Sequence, residues 1–360
     1  MKSLFICTTP FQIMNSVVIA NHMDDVSNLV ILDKFKGSEH LCKDVQKCRV
    51  FHNVCLFDDS LMWASKNKSW LLQRLSTVWT YVRCKKLVEK FFPEISTYTD
   101  IFVSSRAQVN RLVYMYVSQW MTDVKIHFFD DGLGSYSGSI IEVSSLDRFL
   151  RKTIIGEKAV DFEYDLYLYS PELYRGYHNK DIAINKIDIT DKDKDVIRKI
   201  FQLNIGDITR GENILFDKIP TDEFTPQGVI KYREIVQQII DRENIVIKQH
   251  PRNTEARYNA PYFENTSIPF EVYCSQKNYD NSVFFTSCST AVFTPKLIYD
   301  QEPSIVFLYK ALSEYGKSSN SDCDKLVSCL KRMYKNPRKI MVIHNVDELH
   351  DIMLGMEKDR

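Results

Sequence analysis

Five stretches of the chain combine residue types that could do chemistry. The first is Phe128-Phe129-Asp130-Asp131-Gly132-Leu133-Gly134. Two carboxylates behind an apolar run, with glycines after them, describe a tight loop at a strand end. Neighbouring carboxylates repel and partial burial raises a carboxyl pKa, so one of the pair could act as a general base. A strand sends adjacent side chains to opposite faces, so only one of Asp130 and Asp131 is expected to point at a reacting centre. The plainer reading is a capping aspartate followed by a turn. A second acidic candidate, Asp222 with Glu223, follows the apolar run Asn213 to Ile219. Its plainer reading is a pair of exposed turn acids.

The third stretch is Asn244-Ile-Val-Ile-Lys248-Gln-His250-Pro251-Arg252. The β-branched trio reads as a buried parallel strand, and Pro251 ends it because proline cannot donate to a ladder. His250 is then expected at a carboxyl edge, where open α/β sheets hold their ligands. Lys248 and Arg252 should make that edge electropositive. A histidine there can donate to a phosphate oxygen or act as a general acid; otherwise it is a loop histidine. The fourth stretch, Ile268-Pro269-Phe270-Glu271, offers a fixed carboxylate that could accept from a ribose or a base amine, or simply an acid at a helix start. The fifth is Phe284-Phe285-Thr286-Ser287-Cys288-Ser289-Thr290-Ala291. Hydroxyls at a helix N-terminus make an anion site, and phosphate suits it. Helix capping explains one hydroxyl, but less well a cluster of four.

The elements that must position these stretches alternate. Strands are expected at Ser3 to Thr9, Asn28 to Leu32, Arg49 to Phe57, Asp100 to Val103 and Lys125 to Phe129, with helices from Pro10 to Ala20, Trp70 to Phe91 and Ala107 to Trp120. Residues Asn179 to Asp195, rich in lysine and aspartate, read as a solvated linker before a helix from Val196 to Leu203. A second βα series follows, with strands at Asn213 to Ile219, Asn244 to Gln249, Val283 to Thr286, Pro303 to Leu308 and Ile340 to Val346. Pro295 should kink or end the helix that begins near Thr290. Strands alternating with helices signal parallel, helix-covered sheets. The expectation is an α/β protein with two Rossmann-like domains, 1–190 and 191–360.

Composition bounds the rest. The chain has 360 residues and a net charge of zero, so no global positive field argues for nucleic acid. Nine cysteines without C-x-x-C or zinc spacing predict buried, reduced thiols. No apolar run approaches the ~20 residues of a membrane span. The stretch Trp70 to Phe91, with Arg74, Arg83, Lys85, Lys86 and Lys90, reads as a solvated face or, alternatively, a peripheral contact with an anionic membrane.

The ordered set of motifs resembles the bacterial sialyltransferases, most closely glycosyltransferase family 52. Asp130-Asp131-Gly132 matches that family's acidic-acidic-Gly motif, His250-Pro251 its His-Pro motif, and Ser289-Thr290, with Ser287, its Ser/Thr motif. Cys7-Thr-Thr-Pro-Phe-Gln12 is similar to the family's N-terminus, and Pro269-Phe-Glu271 to its nucleotide-contacting segment.

The resemblance implies a GT-B fold, two Rossmann-like domains facing a central cleft, with the acceptor on the N-terminal side and the CMP-sugar donor on the C-terminal side. It implies an inverting transfer of sialic acid from CMP-sialic acid to a galactose-type hydroxyl of a lipooligosaccharide, O-antigen or capsule, without metal or cofactor. Asp131, Asp130 or Asp222 would be the base, and His250 would assist the leaving phosphate. Lys248, Arg252, Glu271, Ser287, Ser289 and Thr290 would hold the nucleotide. The setting implied is cytoplasmic, at the inner membrane face where the acceptor is lipid-linked, and homodimers occur among relatives. Two rivals stand beside this reading: a glucosyltransferase of the same family using another nucleotide sugar, and a non-catalytic nucleotide- or sugar-binding protein.

Overall fold

The computed structural model describes residues 1–62, 70–104, 107–136, 144–175, 182–203, 213–217, 224–250, 257–263, 268–316, 321–345 and 347–352. Two compact units divide the chain, Met1–Gln202 and Leu203–Arg360.

The first unit is built on seven parallel strands: β1 (Lys2–Cys7), β2 (Val26–Leu32), β3 (Asn53–Phe57), β4 (Asp100–Val103), β5 (Lys125–Phe129), β6 (Asp165–Leu168) and β7 (Ile184–Lys186). They lie in the order β3-β2-β1-β4-β5-β6-β7. Strand order reverses between β1 and β4, the place where doubly wound sheets leave a crevice at their carboxyl ends. Leu4, Phe5, Ile6 and Cys7 are all buried, as helices on both faces require. Phe5 stacks on Phe102 with ring centroids 4.3 Å apart, and Phe102 stacks on His127 at 4.4 Å. These contacts weld the three central strands.

The second unit carries five parallel strands: β8 (Asn213–Asp217), β9 (Ile245–Gln249), β10 (Val283–Thr286), β11 (Ser304–Phe307) and β12 (Ile340–Val342). Their order is β12-β11-β10-β8-β9, which puts the reversal between β8 and β10. Leu215, Ile247, Phe285 and Val306 form its core with Ile235, Val236 and Ile239 of the helix Pro226–Arg242. Two parallel-sheet units of this kind are Rossmann-like, as the alternating pattern predicts.

Several local expectations are revised. The boundary lies after Gln202 rather than at 190/191, because the helix Asp191–Ile200 belongs to the first unit. Its fully buried Asp193 accepts from Asn21 Nδ2 at 2.5 Å and lies 2.8 Å from His22 Nε2, at the end of the helix Pro10–Asn21. Thr190 and Asp193 form a reciprocal capping box, so the charged run opens a helix instead of a solvated linker. Trp70 to Phe91 is two helices, Trp70–Val82 and Cys84–Phe91. Pro295 opens the helix Thr294–Tyr299, where its missing N–H is harmless. Cys288 and Cys323 form a disulfide, correcting the reading of reduced thiols for that pair. Among the described residues, no helix is long and apolar enough to cross a membrane.

Candidate active site

The two acidic neighbours of the first unit have different fates. Asp130 follows β5 and is fully buried. Its Oδ1 accepts from the Gly132 amide at 2.8 Å, a reach helped by the left-handed φ of +85° at Gly132. Its Oδ2 accepts from the Tyr136 hydroxyl and from the Tyr169 amide, the latter at 3.4 Å. Asn15 Nδ2 donates to the Asp130 carbonyl at 2.7 Å, and Tyr169 donates to Asn15 Oδ1 at 2.6 Å. Burial pushes the Asp130 carboxyl up to about 7, against the lowering by these donors. Asp130 is therefore the keystone of the loop.

Asp131 is half-buried, and its amide donates to Ser135 Oγ at 2.8 Å. Its Oδ1 accepts from Gln12 Nε2 at 2.9 Å. Gln12 stands in the first turn of the helix Pro10–Asn21, which Thr9 caps and Pro10 opens. The turn follows β1 directly and the aspartate follows β5, so both lie at carboxyl ends beside the strand-order reversal. Cys7, at the end of β1, has its thiol pushed far up by burial and is no nucleophile.

In the second unit, three carboxyl ends line one edge. Registers pair Thr286 with Phe216 and Asp217 with Gln249. Ser287 and His250 thus flank the end of β8, about 10 Å apart at two strand spacings. The His250 amide donates to the Asp217 carbonyl at 2.9 Å, and Tyr232 donates to Asp217 Oδ1 at 3.2 Å. Ser287 is buried, Ser289 is half-buried and Thr290 is exposed. Thr286 Oγ1 accepts from the Ser289 amide at 2.8 Å, and Ser289 Oγ accepts from the Ala291 amide at 3.3 Å. Part of the hydroxyl cluster therefore shapes the turn.

Lys248 departs from expectation. Its place beside His-Pro predicts an edge charge, but it is buried and its ammonium donates to the Ile268 carbonyl at 2.9 Å. It lies over the rings of Phe263 and Tyr273 at 5.6 and 5.7 Å. Burial lowers its pKa to about 8. Lys248 thus ties β9 to the Pro269-Phe270-Glu271 segment. Phe270 is core, edge-on to Phe216 and Phe284. Glu271 accepts from Thr294 Oγ1 at 3.3 Å, and burial raises its carboxyl pKa.

Asp222 and Arg252 lie outside the described residues, as does Glu223. Type and spacing do not point to Asn15, Tyr136, Tyr169 or Asp217, and Gln12 enters only as the last residue of the Cys7-to-Gln12 match. The one signal available was the opening Thr8-Thr9-Pro10-Phe11-Gln12, where a polar residue sits one helical turn past a strand end.

Fold and site define a two-unit α/β protein with a braced aspartate at one sheet's reversal and a histidine and hydroxyls at the edge of the other. The model of the alpha-2,8-polysialyltransferase (POLYST) family matches residues 3–306, and the chain belongs to that family. It is accordingly a glycosyltransferase of the sialyltransferase class. The match is to this family's model, so the closer resemblance to family 52 remains an expectation. No curated protein matches the chain. Among solved structures, it is similar to the UDP-GlcNAc 2-epimerase of Neisseria meningitidis bound to UDP-GlcNAc, with 10% identity, all of both chains covered and a TM-score of 0.48.

Proposed function

We propose that the protein transfers sialic acid from CMP-sialic acid to a sugar hydroxyl of a bacterial surface glycan such as a capsule or lipooligosaccharide, with inversion and without a metal. Asp131 takes the proton of the acceptor hydroxyl. The freed oxygen attacks the anomeric carbon of the sialyl group as the bond to the phosphate oxygen breaks and its electron pair leaves with CMP. His250 donates to that departing oxygen. Ser287, Ser289 and Thr290 face the phosphate, and Glu271 the cytidine. Electrostatic aid at a leaving oxygen is typically worth a few kcal/mol.

The observation that carries this reading is the division of labour between the acids. The fully buried carboxylate of Asp130 accepts from three donors, while Asp131 is half-buried and its Oδ1 accepts from Gln12. Only the second is suited to meet an acceptor. The family's description, alpha-2,8-polysialyltransferase, supports position 8 of a terminal sialic acid as an acceptor hydroxyl beside a galactose-type one.

The test is CMP release from CMP-sialic acid with galactose-terminated and sialylated acceptors, in the presence of EDTA. Transfer to the sialylated acceptor is expected, with loss of at least about a thousandfold in Asp131→Asn and His250→Ala. Full activity in Asp131→Asn would remove the base assignment. Thermal stabilisation by UDP but not by CMP would replace the donor.

A further inference from the structure

Cys288 stands inside the hydroxyl-bearing turn of the second unit. The turn leaves β10 at Thr286, whose Oγ1 accepts from the Ser289 amide at 2.8 Å, and Ser289 Oγ accepts from the Ala291 amide at 3.3 Å. Between them Cys288 is 6% exposed and bonded to Cys323, with Cα atoms 6.0 Å apart. Cys323 is half-buried in the first turn of the helix Ser321–Met333. That helix has moorings of its own. Val327 and Leu330 are buried, and Asp324 accepts from the Tyr309 hydroxyl at 2.6 Å and lies 3.1 Å from the Lys310 ammonium. Breaking the bond therefore leaves the helix docked and removes a tether from the turn. The other seven cysteines are thiols, and one of them, Cys55, is exposed. Secreted frameworks pair their cysteines in several bonds. A single disulfide in a chain with many thiols, one of them open to solvent, fits a bond that forms and breaks.

We propose that Cys288 and Cys323 form a thiol–disulfide switch that sets how tightly the turn holds the donor's phosphate. The inference rests on the proposed reading that Ser289 and Thr290 face that phosphate. With the bond in place the turn is ordered before the nucleotide arrives; without it, part of that ordering must accompany binding and weakens it. The reductant is a dithiol. Its thiolate attacks Sγ of Cys323, the more exposed partner. The S–S bond breaks, and its electron pair leaves with Cys288 as a thiolate, which takes up a proton. The second thiolate of the dithiol then attacks the mixed disulfide, releasing Cys323 as a thiol and closing the dithiol into a cyclic disulfide. A small-molecule disulfide runs the exchange in reverse.

The test is calorimetric titration of the full chain with CMP, with and without dithiothreitol, for wild type and Cys323→Ser, at a temperature where circular dichroism shows each folded. Reduced wild type is expected to bind CMP about three- to tenfold more weakly than oxidised wild type, the span of ordering one side chain on binding. Cys323→Ser should match reduced wild type and ignore the reductant. Oxidised glutathione should return wild type to the tight form. With CMP-sialic acid as donor, KM should rise by the same factor while kcat per folded molecule stays within about twofold. A bond that only holds the fold together would lower the active fraction and leave KM where it was. Equal CMP affinity in the two wild-type states overturns the proposal, and so does alkylation of both cysteines in the unreduced native protein. Should Cys323→Ser fail to fold, wild type with and without dithiothreitol decides. Reduced wild type that is unfolded at every temperature also overturns the proposal, because the bond is then a staple. Oxidised wild type that binds no CMP defeats the functional reading and this inference with it, whereas CMP binding that ignores the reductant defeats the inference alone.

Discussion

The hydroxyl of Tyr136 donates to Oδ2 of Asp130 in the interior of the first unit, and the Ser170 amide donates back to that hydroxyl at 3.3 Å. The pair ties the loop after β5 to the end of β6. It also takes Asp130 out of contention for proton transfer to a substrate, so the residue's titration becomes a matter of stability.

Burial holds the folded Asp130 at about 7, well above an ordinary aspartate. Between about pH 4 and 7 the folded chain keeps a proton that the unfolded chain has released. Stability attributable to this group therefore falls as pH rises through that window, by at most about 1.4 kcal/mol per pH unit. Asp130→Asn cannot titrate and should flatten the slope. Urea unfolding of both proteins across this range checks it, and parallel slopes would refute the assignment.

Lys248 gives the opposite sign. Its folded pKa is lowered to about 8 by burial, so between about pH 8 and 10 the unfolded chain binds the extra proton. Its contribution to stability rises across that window. Lys248→Met should lose the rise and, by releasing Ile268, weaken the thermal stabilisation given by CMP. Melting curves at both ends of the window, with and without CMP, measure both effects. An unchanged CMP response would show that the lysine does not support the Pro269-Phe270-Glu271 segment.

Gly156 has φ +138°, and a Cβ there would meet the carboxamide of Gln119 at 2.3 Å. The end of a glutamine can swing aside, whereas the backbone angle cannot be relieved. Gly156→Ala is expected to destabilise by about 1–3 kcal/mol. Adding Gln119→Ala should recover less than half of that. Full recovery in the double variant would assign the cost to the clash.

The Cys288–Cys323 bond joins the residue between Ser287 and Ser289 to the helix Ser321–Met333, across a separation of 35 residues. On chain-entropy grounds its loss should destabilise by about 4 kcal/mol. Cys323→Ser, or wild type in reductant, should unfold at lower urea, and reductant should not affect the variant further. Alkylation of both cysteines in the native, unreduced protein would exclude the bond.

The strands were legible because parallel strands buried on both faces need unbroken apolar runs, which Leu4 to Cys7 and Ile245 to Ile247 supply. Short, half-exposed β7 offers no such run, and its Ile184-Asn185-Lys186 vanishes into a polar stretch. Alternation along a strand predicted that Asp130 and Asp131 would part. Which one turns inward depends on Asn15, Tyr136 and Tyr169, partners that no local pattern announces. Lys248 misled for a related reason. Beside His-Pro it reads as edge charge, but the carbonyl and rings that receive it come from residues 263–273.

Asp193 clasps the last turn of the helix whose first turn carries Gln12. A first unit prepared in isolation must therefore extend to Gln202. Trimmed at residue 190, it would keep every strand of its sheet and lose the far mooring of the helix that braces Asp131. Such a fragment would look intact to a probe of strand content while its acidic loop lost a tether.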